Sequence, residues 1–424
     1  MTEIVVVGGG AAGAAAVGEL RAQGWDGAIT VVTGEPGPPY NRTTVSKGLL
    51  KGQYEVDAVA LPEARADGVT WRLADPAMSL SPSARRLDLA SGESLSWAAL
   101  VIATGAAPRR WTGVAEPATR DRFLTLHTAA DAQRLRRLAI LTGTADRPRR
   151  VAVLGGGVIA LEAAGALQAA DVDVTVISRS KTPLQRHVGP TVGAWIAEQH
   201  RRHVHFVPDA TLANASLTGG SLRLQLTDGQ ELFVDLAVVA HGTAPATEWL
   251  AGSGLPITEG SLIVDDRLRV PSAADIYAAG DAARIQTPGG RPTPRGHWAL
   301  ATEQGRHAAR TALFDLDASV TDPGAFKTLP TFTSDAYGTR LTVLGEPGTA
   351  ISETLLGGDP TTDAFTIGAL DDRGGLVGVV GIGPALAALR HKDEIGRHER
   401  LEQSATAPRG PGPDQIFAPR PETA

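Results

Sequence analysis

The chain opens on an apolar, β-branched run, Ile4-Val5-Val6-Val7, which breaks into Gly8-Gly9-Gly10-Ala11-Ala12-Gly13 and continues through the Ala-rich residues 14–23. A short apolar run stopped by glycines predicts a buried strand, and the Ala-rich continuation predicts a helix. A second apolar run, Ala28-Ile29-Thr30-Val31-Val32-Thr33, ends at Gly34-Glu35. Strand, tight turn, helix, strand and terminal acid at this spacing predict a dinucleotide-binding βαβ unit. In such a unit Gly8 makes the sharp turn, Gly10 lets the backbone approach a pyrophosphate, and Gly13 lets helix and strand pack closely. The helix N-terminus offers its N–H groups and positive dipole end to the phosphates. Glu35 is placed to accept hydrogen bonds from a ribose diol.

The same pattern recurs in mid-chain. Val151-Ala152-Val153-Leu154 reads as a strand, Gly155-Gly156-Gly157-Val158-Ile159-Ala160 as the turn, residues 161–168 as a helix, and Val172-Asp173-Val174-Thr175-Val176-Ile177 as the second strand. Two such units imply two dinucleotides. The copies differ where it matters: the third glycine is Ala160, and the second strand ends in Ser178-Arg179-Ser180-Lys181 instead of an acid. A carboxylate there suits a free 2′-hydroxyl, whereas a hydroxyl with Arg and Lys suits a 2′-phosphate. Charge-assisted hydrogen bonds of roughly 1.5–3 kcal/mol each favour NADPH over NADH at this unit by about tenfold or more.

Between and after the two units the pattern is coarser. Residues 36–50 read as a Pro-led loop in which Thr44 or Ser46 caps a short helix carrying Lys47. A buried strand ends at Thr104-Gly105, with Pro108 beyond, and a second one repeats this pattern, ending at Gly242 before Pro245. Strands fill residues 221–239, with a hairpin at Asp228-Gly229. A further strand delivers Gly280-Asp281, and a helix opens at His297-Trp298. From about residue 326 the chain is β-rich, with turns expected at Tyr337-Gly338, Gly357-Gly358 and Gly374-Gly375, then helical over 384–397. The Pro-rich residues from about 405 read as a disordered tail.

Composition narrows the chemistry. The 424 residues, 42% hydrophobic and 20% charged, suit two or three globular domains. A net charge of -6 speaks against a nucleic-acid partner. The chain has no cysteine, which excludes disulfide exchange, thiolate catalysis and Cys-ligated metal centres within it. Redox chemistry therefore requires a bound organic cofactor. The first residues lack a basic signal-peptide region, and no apolar run approaches the ~20 residues that span a bilayer. The expectation is a cytoplasmic protein with no membrane partner, as a monomer or a homodimer.

Ile276-Tyr277-Ala278-Ala279-Gly280-Asp281, taken with both glycine motifs and Thr104-Gly105, resembles the flavoprotein reductases that carry two dinucleotide-binding domains. Pro39-Tyr40-x-Arg42-x-x-x-Ser46-Lys47 is similar to the PYxRPPLSK signature of the putidaredoxin-reductase-like ferredoxin reductases that serve bacterial P450 and Rieske dioxygenase systems. The resemblance implies an α/β fold of two Rossmann-like domains, the NAD(P)-binding one (113–243) inserted in the FAD-binding one (1–112 and 244–322). A C-terminal α+β domain (323–400) and the tail (401–424) follow. It implies that Gly8, Gly10, Gly13 and Glu35 hold the adenosine half of FAD, that Arg42 and Lys47 lie along the cofactor towards its ring system, that Thr104 and Gly105 line it, and that Asp281 hydrogen-bonds the ribitol. Trp298 would stand beside the flavin, and Glu162 would pair with Lys47 across the two domains and contact the nicotinamide. Ala12, Arg109, Val158, Ile159, Gly242, Gly280 and His297 complete the expected cofactor-binding set.

The implied reaction passes a hydride from NADPH, or NADH, to flavin N5 and then electrons to a [2Fe–2S] ferredoxin. Arg109, Arg110, Arg291, Arg295 and Arg340 are candidates for a rim facing that acidic partner. The chain departs from the family at Val158, where an aromatic residue usually stands, and at Gly296-His297 in place of Glu-Ser. The Trp-x-Trp-Ser-Asp pattern is here Thr331-Phe332-Thr333-Ser334-Asp335. These departures keep two other readings open: a flavoenzyme acting on a small molecule near Thr331 and Thr333, and a redox-sensing flavoprotein.

Overall fold

The computed structural model describes residues 3–113, 116–143, 148–286 and 296–396; the tail at 401–424 lies outside them. The opening run forms β1 (Glu3–Val7), whose residues from Ile4 onward are buried on both faces. It leads through the glycine turn to α1 (Ala11–Ala22) and returns as β2 (Ala28–Val32), with β3 (Val69–Arg72) and β4 (Ala99–Ile102) following. The second unit comprises β5 (Phe123–Leu124), β6 (Arg150–Leu154), α2 (Val158–Gln168), β7 (Asp173–Ile177), α3 (Gln185–His203), β8 (His205–Val207) and β9 (Leu236–Val239). The chain then rejoins the first sheet with β10 (Arg269–Val270) and β11 (Ala273–Ala278), and α4 (Trp298–Leu316) packs against α1. The last sheet is built from β12 (Thr331–Ala336), β13 (Thr339–Gly345), β14 (Ser352–Asp359), β15 (Ala364–Leu370) and β16 (Leu376–Ile382).

The first sheet has the order β10-β11-β4-β1-β2-β3 and the second β8-β7-β6-β9-β5. Their central strands are parallel and in corresponding register: Ile4 faces Ile29 and Ala99, while Val151 faces Val174 and Leu236. In each, the chain leaves the central strand towards one side and later adds a strand on the other, so a crevice opens at the carboxyl ends where the order reverses. The two connections between these sheets pair antiparallel, Ala106–Pro108 against Thr243–Pro245.

The C-terminal sheet, in the order β12-β13-β16-β15-β14, is antiparallel and packs on the second unit. One hydrophobic core joins Leu161 of α2 and Val188, Val192, Trp195 and Ile196 of α3 to Val343, Phe365, Ile367 and Val380 of that sheet. Polar ties flank it: Trp195 Nε1 and Gln199 Nε2 donate to Asp363 at 3.1 and 2.9 Å. α3 breaks at Gly189, at φ +80, and Pro190 begins its second segment, where a missing backbone N–H is tolerated. Glu353 then accepts from the Thr191 N–H at 3.1 Å and from its hydroxyl, capping that segment from the neighbouring sheet.

Three local expectations change. Gly357-Gly358 is not a turn but a bulge inside β14, where the register against β15 shifts between Leu355 and Gly357. The helix expected over 384–397 is Ala385–Leu389, followed by turns as far as Gly396. The turn carrying Lys47, Val45–Leu49, begins at Thr44 without a side-chain cap; the capping side chain is that of Asn41, which accepts from the Thr43 N–H at 3.1 Å and starts the preceding turn Arg42–Thr44.

Candidate functional site

At the carboxyl end of β1 the backbone closes on itself. Gly8 takes φ +116, and a Cβ there would lie 2.1 Å from the Ala103 carbonyl oxygen; a Cβ on Gly13 would lie 1.9 Å from that of Gly8. Both positions exclude a side chain because backbone already occupies the space. Gly10 is different, because nothing lies within 4 Å of its Cβ position, and it is the N-cap of a helix with no side-chain cap and no acid in its first turn. Uncapped N–H groups facing open space fit a pyrophosphate. Ala12 lies in the first turn of α1, with its carbonyl against Gly305 of α4, where a Cβ would come within 2.0 Å.

The neighbouring strand ends complete the crevice. Thr104 donates to the Ala246 carbonyl at 2.7 Å, and Gly105 takes φ +68. Gly280, at φ +73, donates its N–H to Gln304 Oε1 at 2.8 Å, and Asp281 Oδ1 accepts from the Gly296 N–H at 2.8 Å. Glu35 pairs with Arg42 and accepts from the Tyr40 hydroxyl at 2.7 Å. Burial pushes the Tyr40 hydroxyl up to about 12, so it stays a donor at neutral pH. Arg42 thus sits at the Glu35 end of the crevice, tied also to the His127 carbonyl at 3.1 Å.

The second unit repeats the construction. Gly155 takes φ +144, with a hypothetical Cβ 2.2 Å from the Ala240 carbonyl oxygen, while Gly157, the uncapped N-cap of α2, again faces open space. Val158 and Ile159 form the first turn of α2 and remain partly accessible. Ser178 is buried, its hydroxyl donating to the Ser180 carbonyl at 2.9 Å and accepting from the Ser180 N–H at 3.2 Å. Its role is to shape the turn. Lys181 pairs with Asp209 at 3.2 Å, whereas Arg179 is exposed and forms no ion pair among the described residues. Gly242, at φ +101, offers its carbonyl to the Arg109 N–H at 3.0 Å, and Arg109 Nε donates to the Thr243 carbonyl at 3.2 Å.

The two units meet at one carboxylate. Lys47 Nζ lies 2.6 Å from Glu162 Oε1, joining the loop after β2 to the second turn of α2. Glu162 is 5% exposed, while a third of the Lys47 side chain is accessible. Two hydroxyls not expected at the site also reach it. Ser46 Oγ donates to Oε2, and Ser334 Oγ of β12 donates to Oε1 at 2.7 Å. No sequence pattern announces the second contact, because 172 residues separate its partners.

Trp298 and His297 open α4, and the His297 ring stacks on Phe332 with centroids 4.9 Å apart and planes at 15°. Burial, with the charge of His187 adding to it, holds His297 down at about 4, so it is neutral at physiological pH. Strand alternation puts Phe332 and Ser334 on one face of β12 and Thr331 and Thr333 on the other, so those threonines do not line the Glu162 side. Arg291 and Arg295 lie outside the described residues. Among the described residues no group of side chains could hold a metal ion.

A family model of the pyridine nucleotide-disulphide oxidoreductases matches residues 2–307. The chain is 32% identical over 421 residues to the ferredoxin–NAD(+) reductase component of the anthranilate 1,2-dioxygenase system of Burkholderia cepacia, covering 98% of this chain and 97% of the relative. It superposes on the putidaredoxin reductase–putidaredoxin complex with a TM-score of 0.82 at 25% identity, covering 92% of each chain. The ferredoxin reductase of the CYP199A2 system from Rhodopseudomonas palustris gives the same score and identity over 92% and 94% of the chains. With no cysteine to exchange a disulfide, and with two open phosphate cradles joined by an ion pair, the chain belongs to the pyridine nucleotide-disulphide oxidoreductase family as a flavoprotein oxidoreductase of the ferredoxin-reductase type.

Proposed function

We propose that this protein is the reductase component of an oxygenase system, carrying electrons from a reduced pyridine nucleotide to a [2Fe–2S] ferredoxin that serves a Rieske oxygenase or a P450. The observation that carries the reading is the Lys47–Glu162 pair, which binds the two nucleotide units together beside both crevices. Residues 1–112 with 244–322 form the FAD-binding domain, 113–243 the NAD(P)H-binding domain and 323–400 the C-terminal domain. Bound in the first crevice, FAD supplies acceptance of an electron pair from the nicotinamide and release of electrons one at a time.

The chain supplies orientation and charge. Gly8, Gly10, Ala12 and Gly13 present the α1 N–H groups to the pyrophosphate, and Glu35, held by Arg42 and Tyr40, receives the ribose. Thr104, Gly105, Gly280 and Asp281 line the crevice at the strand ends, and Trp298 and the neutral His297 close it. Lys47 places a positive charge where negative charge builds on reduction, and Glu162 fixes that ammonium. Gly155, Gly157, Val158 and Ile159 take the nucleotide phosphates at α2. The relatives are named for NAD(+), and Arg179 is the group that extends recognition to the 2′-phosphate of NADPH. Arg109, Arg110 and Arg340, all exposed, contribute to a rim for the acidic ferredoxin. Among the described residues no helix is long and apolar enough to cross a membrane, and we place the protein in the cytoplasm.

Anaerobic stopped-flow tests the reading. The FAD-loaded protein is reduced with NADPH or NADH and then mixed with oxidised [2Fe–2S] ferredoxins. Fast ferredoxin reduction is expected. Prompt flavin reduction with no transfer to several ferredoxins overturns the acceptor and leaves a flavoenzyme acting on a small molecule. A long-wavelength absorbance band that persists after reduction points instead to a redox sensor.

A further inference from the structure

We propose that Ser334 is a positioning residue for Lys47, which makes the C-terminal sheet a third wall of the electron-transfer site; this rests on the function proposed above. The Glu162 carboxylate stands in the unit of one sheet and receives donors from the units of the other two. Ser46 and Lys47 come from the loop after β2 in the first, Glu162 itself stands on α2 of the second, and Ser334 comes from β12 of the third. Oε1 accepts Lys47 Nζ at 2.6 Å and Ser334 Oγ at 2.7 Å, and Oε2 accepts Ser46 Oγ.

That arrangement has a mechanical consequence. A carboxylate turns about its terminal torsion with little barrier, and one donor on each oxygen fixes its plane. The hydroxyls of Ser46 and Ser334 do this from opposite oxygens, so the position of Oε1 is set before Lys47 binds it. Lys47 needs such a fixed anchor, because its only other hydrogen bond among the described residues is to the Thr43 carbonyl at 3.2 Å, and a third of its side chain is accessible. Without the Ser334 hydroxyl, Oε1 keeps the ammonium but loses the contact that fixes its direction.

Ser334 is itself held rigidly. It is 4% exposed and pairs in register with Leu341 of β13. On the same strand face, Phe332 stacks on His297 and Ala336 enters the core shared with α2 and α3. One face of β12 thus runs along the site, so the placement of the C-terminal sheet is transmitted to the lysine through a single hydroxyl.

The test uses the FAD-loaded full chain in anaerobic stopped-flow, monitoring flavin reduction over a range of NADPH and NADH concentrations. Ser334→Ala is expected to lower the reduction rate constant at saturating nucleotide by about tenfold, with nucleotide dissociation constant and FAD content unchanged. In a Glu162→Gln background the same change is expected to alter the rate less than about twofold, since the hydroxyl acts through that carboxylate. Asp363→Ala removes one tie of the same sheet to Trp195 and Gln199 but leaves the hydroxyl and the shared core in place, so it is expected to lower the rate less than Ser334→Ala does; an equal or larger loss overturns the role. If Ser334→Ala fails to fold, Ser334→Thr and Ser334→Val compare hydroxyl and methyl at equal shape, and a faster threonine variant supports the role. Wild-type rates in Ser334→Ala, an equal loss in the Glu162→Gln background, or equal rates for threonine and valine overturn it. A wild-type flavin that neither nucleotide reduces overturns the proposed function, and this role falls with it.

Discussion

Ser178 and Arg179 are adjacent in sequence yet do different work. The serine hydroxyl is consumed by its own turn through two bonds to Ser180, while the arginine stays exposed at the end of β7. In the proposed reading, discrimination for a 2′-phosphate falls on Arg179. Arg179→Ala is expected to weaken NADPH by about tenfold to a hundredfold and NADH by less than about twofold, read from the nucleotide dependence of flavin reduction. Equal losses would refute the assignment. His200 makes a second argument at this scale. It is fully buried, its Nδ1 lies 2.6 Å from the Tyr337 hydroxyl, and its Nε2 has no partner among the described residues. Burial holds its ring down at about 4, against the ordinary 6.5. The unfolded chain therefore binds a proton between these values that the folded chain refuses, and His297 acts in the same direction. Stability from these rings is complete above pH 6.5 and falls on acidification towards pH 4, by up to about 3 kcal/mol for each ring. Urea titrations across that range should show it, and His200→Phe should flatten part of the slope.

Among the elements, the glycine turns separate packing from ligand binding. A Cβ on Gly13 meets the Gly8 carbonyl at 1.9 Å, so α1 must lift from β1 in Gly13→Ala. A Cβ on Gly10 meets no protein atom within 4 Å, and the backbone there is extended. Gly13→Ala is expected to lower the thermal midpoint of the flavin-free chain. Gly10→Ala should change the stability of the flavin-free chain by less than about 0.5 kcal/mol while weakening FAD retention. Flavin content after gel filtration and melting of the apoprotein check the pair. α3 shows an element completed from outside: broken at Gly189, its second segment begins under the carboxylate of Glu353 from β14. The bulge inside β14 likewise uses its two glycines for strand curvature, which a pattern of paired glycines does not distinguish from a turn.

In the whole molecule the C-terminal sheet and the second nucleotide unit share one core. Phe365 is 2% exposed and meets the Trp195 ring edge-on at 6.2 Å between centroids. Phe365→Ala is expected to cost about 3–5 kcal/mol, with α3 and the C-terminal strands losing amide-exchange protection together. Protection lost from only one of them would show two separable bodies. The shared core also explains how β12 is held firmly enough for Ser334 to reach Glu162.

Much of this was legible along the chain, for reasons of locality. Both βαβ units, the glycines that exclude a side chain and the strand ends at Thr104 and Gly280 depend on residues within one turn or one strand of each other. The Lys47–Glu162 pair was legible only through resemblance, since nothing local links the two positions. Three features needed the tertiary structure. Ser334 reaches Glu162 across 172 residues, Glu353 caps a helix 162 residues away, and Arg42 turns back to pair with Glu35. Hydrophobic period and turn chemistry act over a few residues, and that range is enough to specify two βαβ units. Which side chains meet between them depends on how three sheets pack, and the packing decided that one buried carboxylate would join all three.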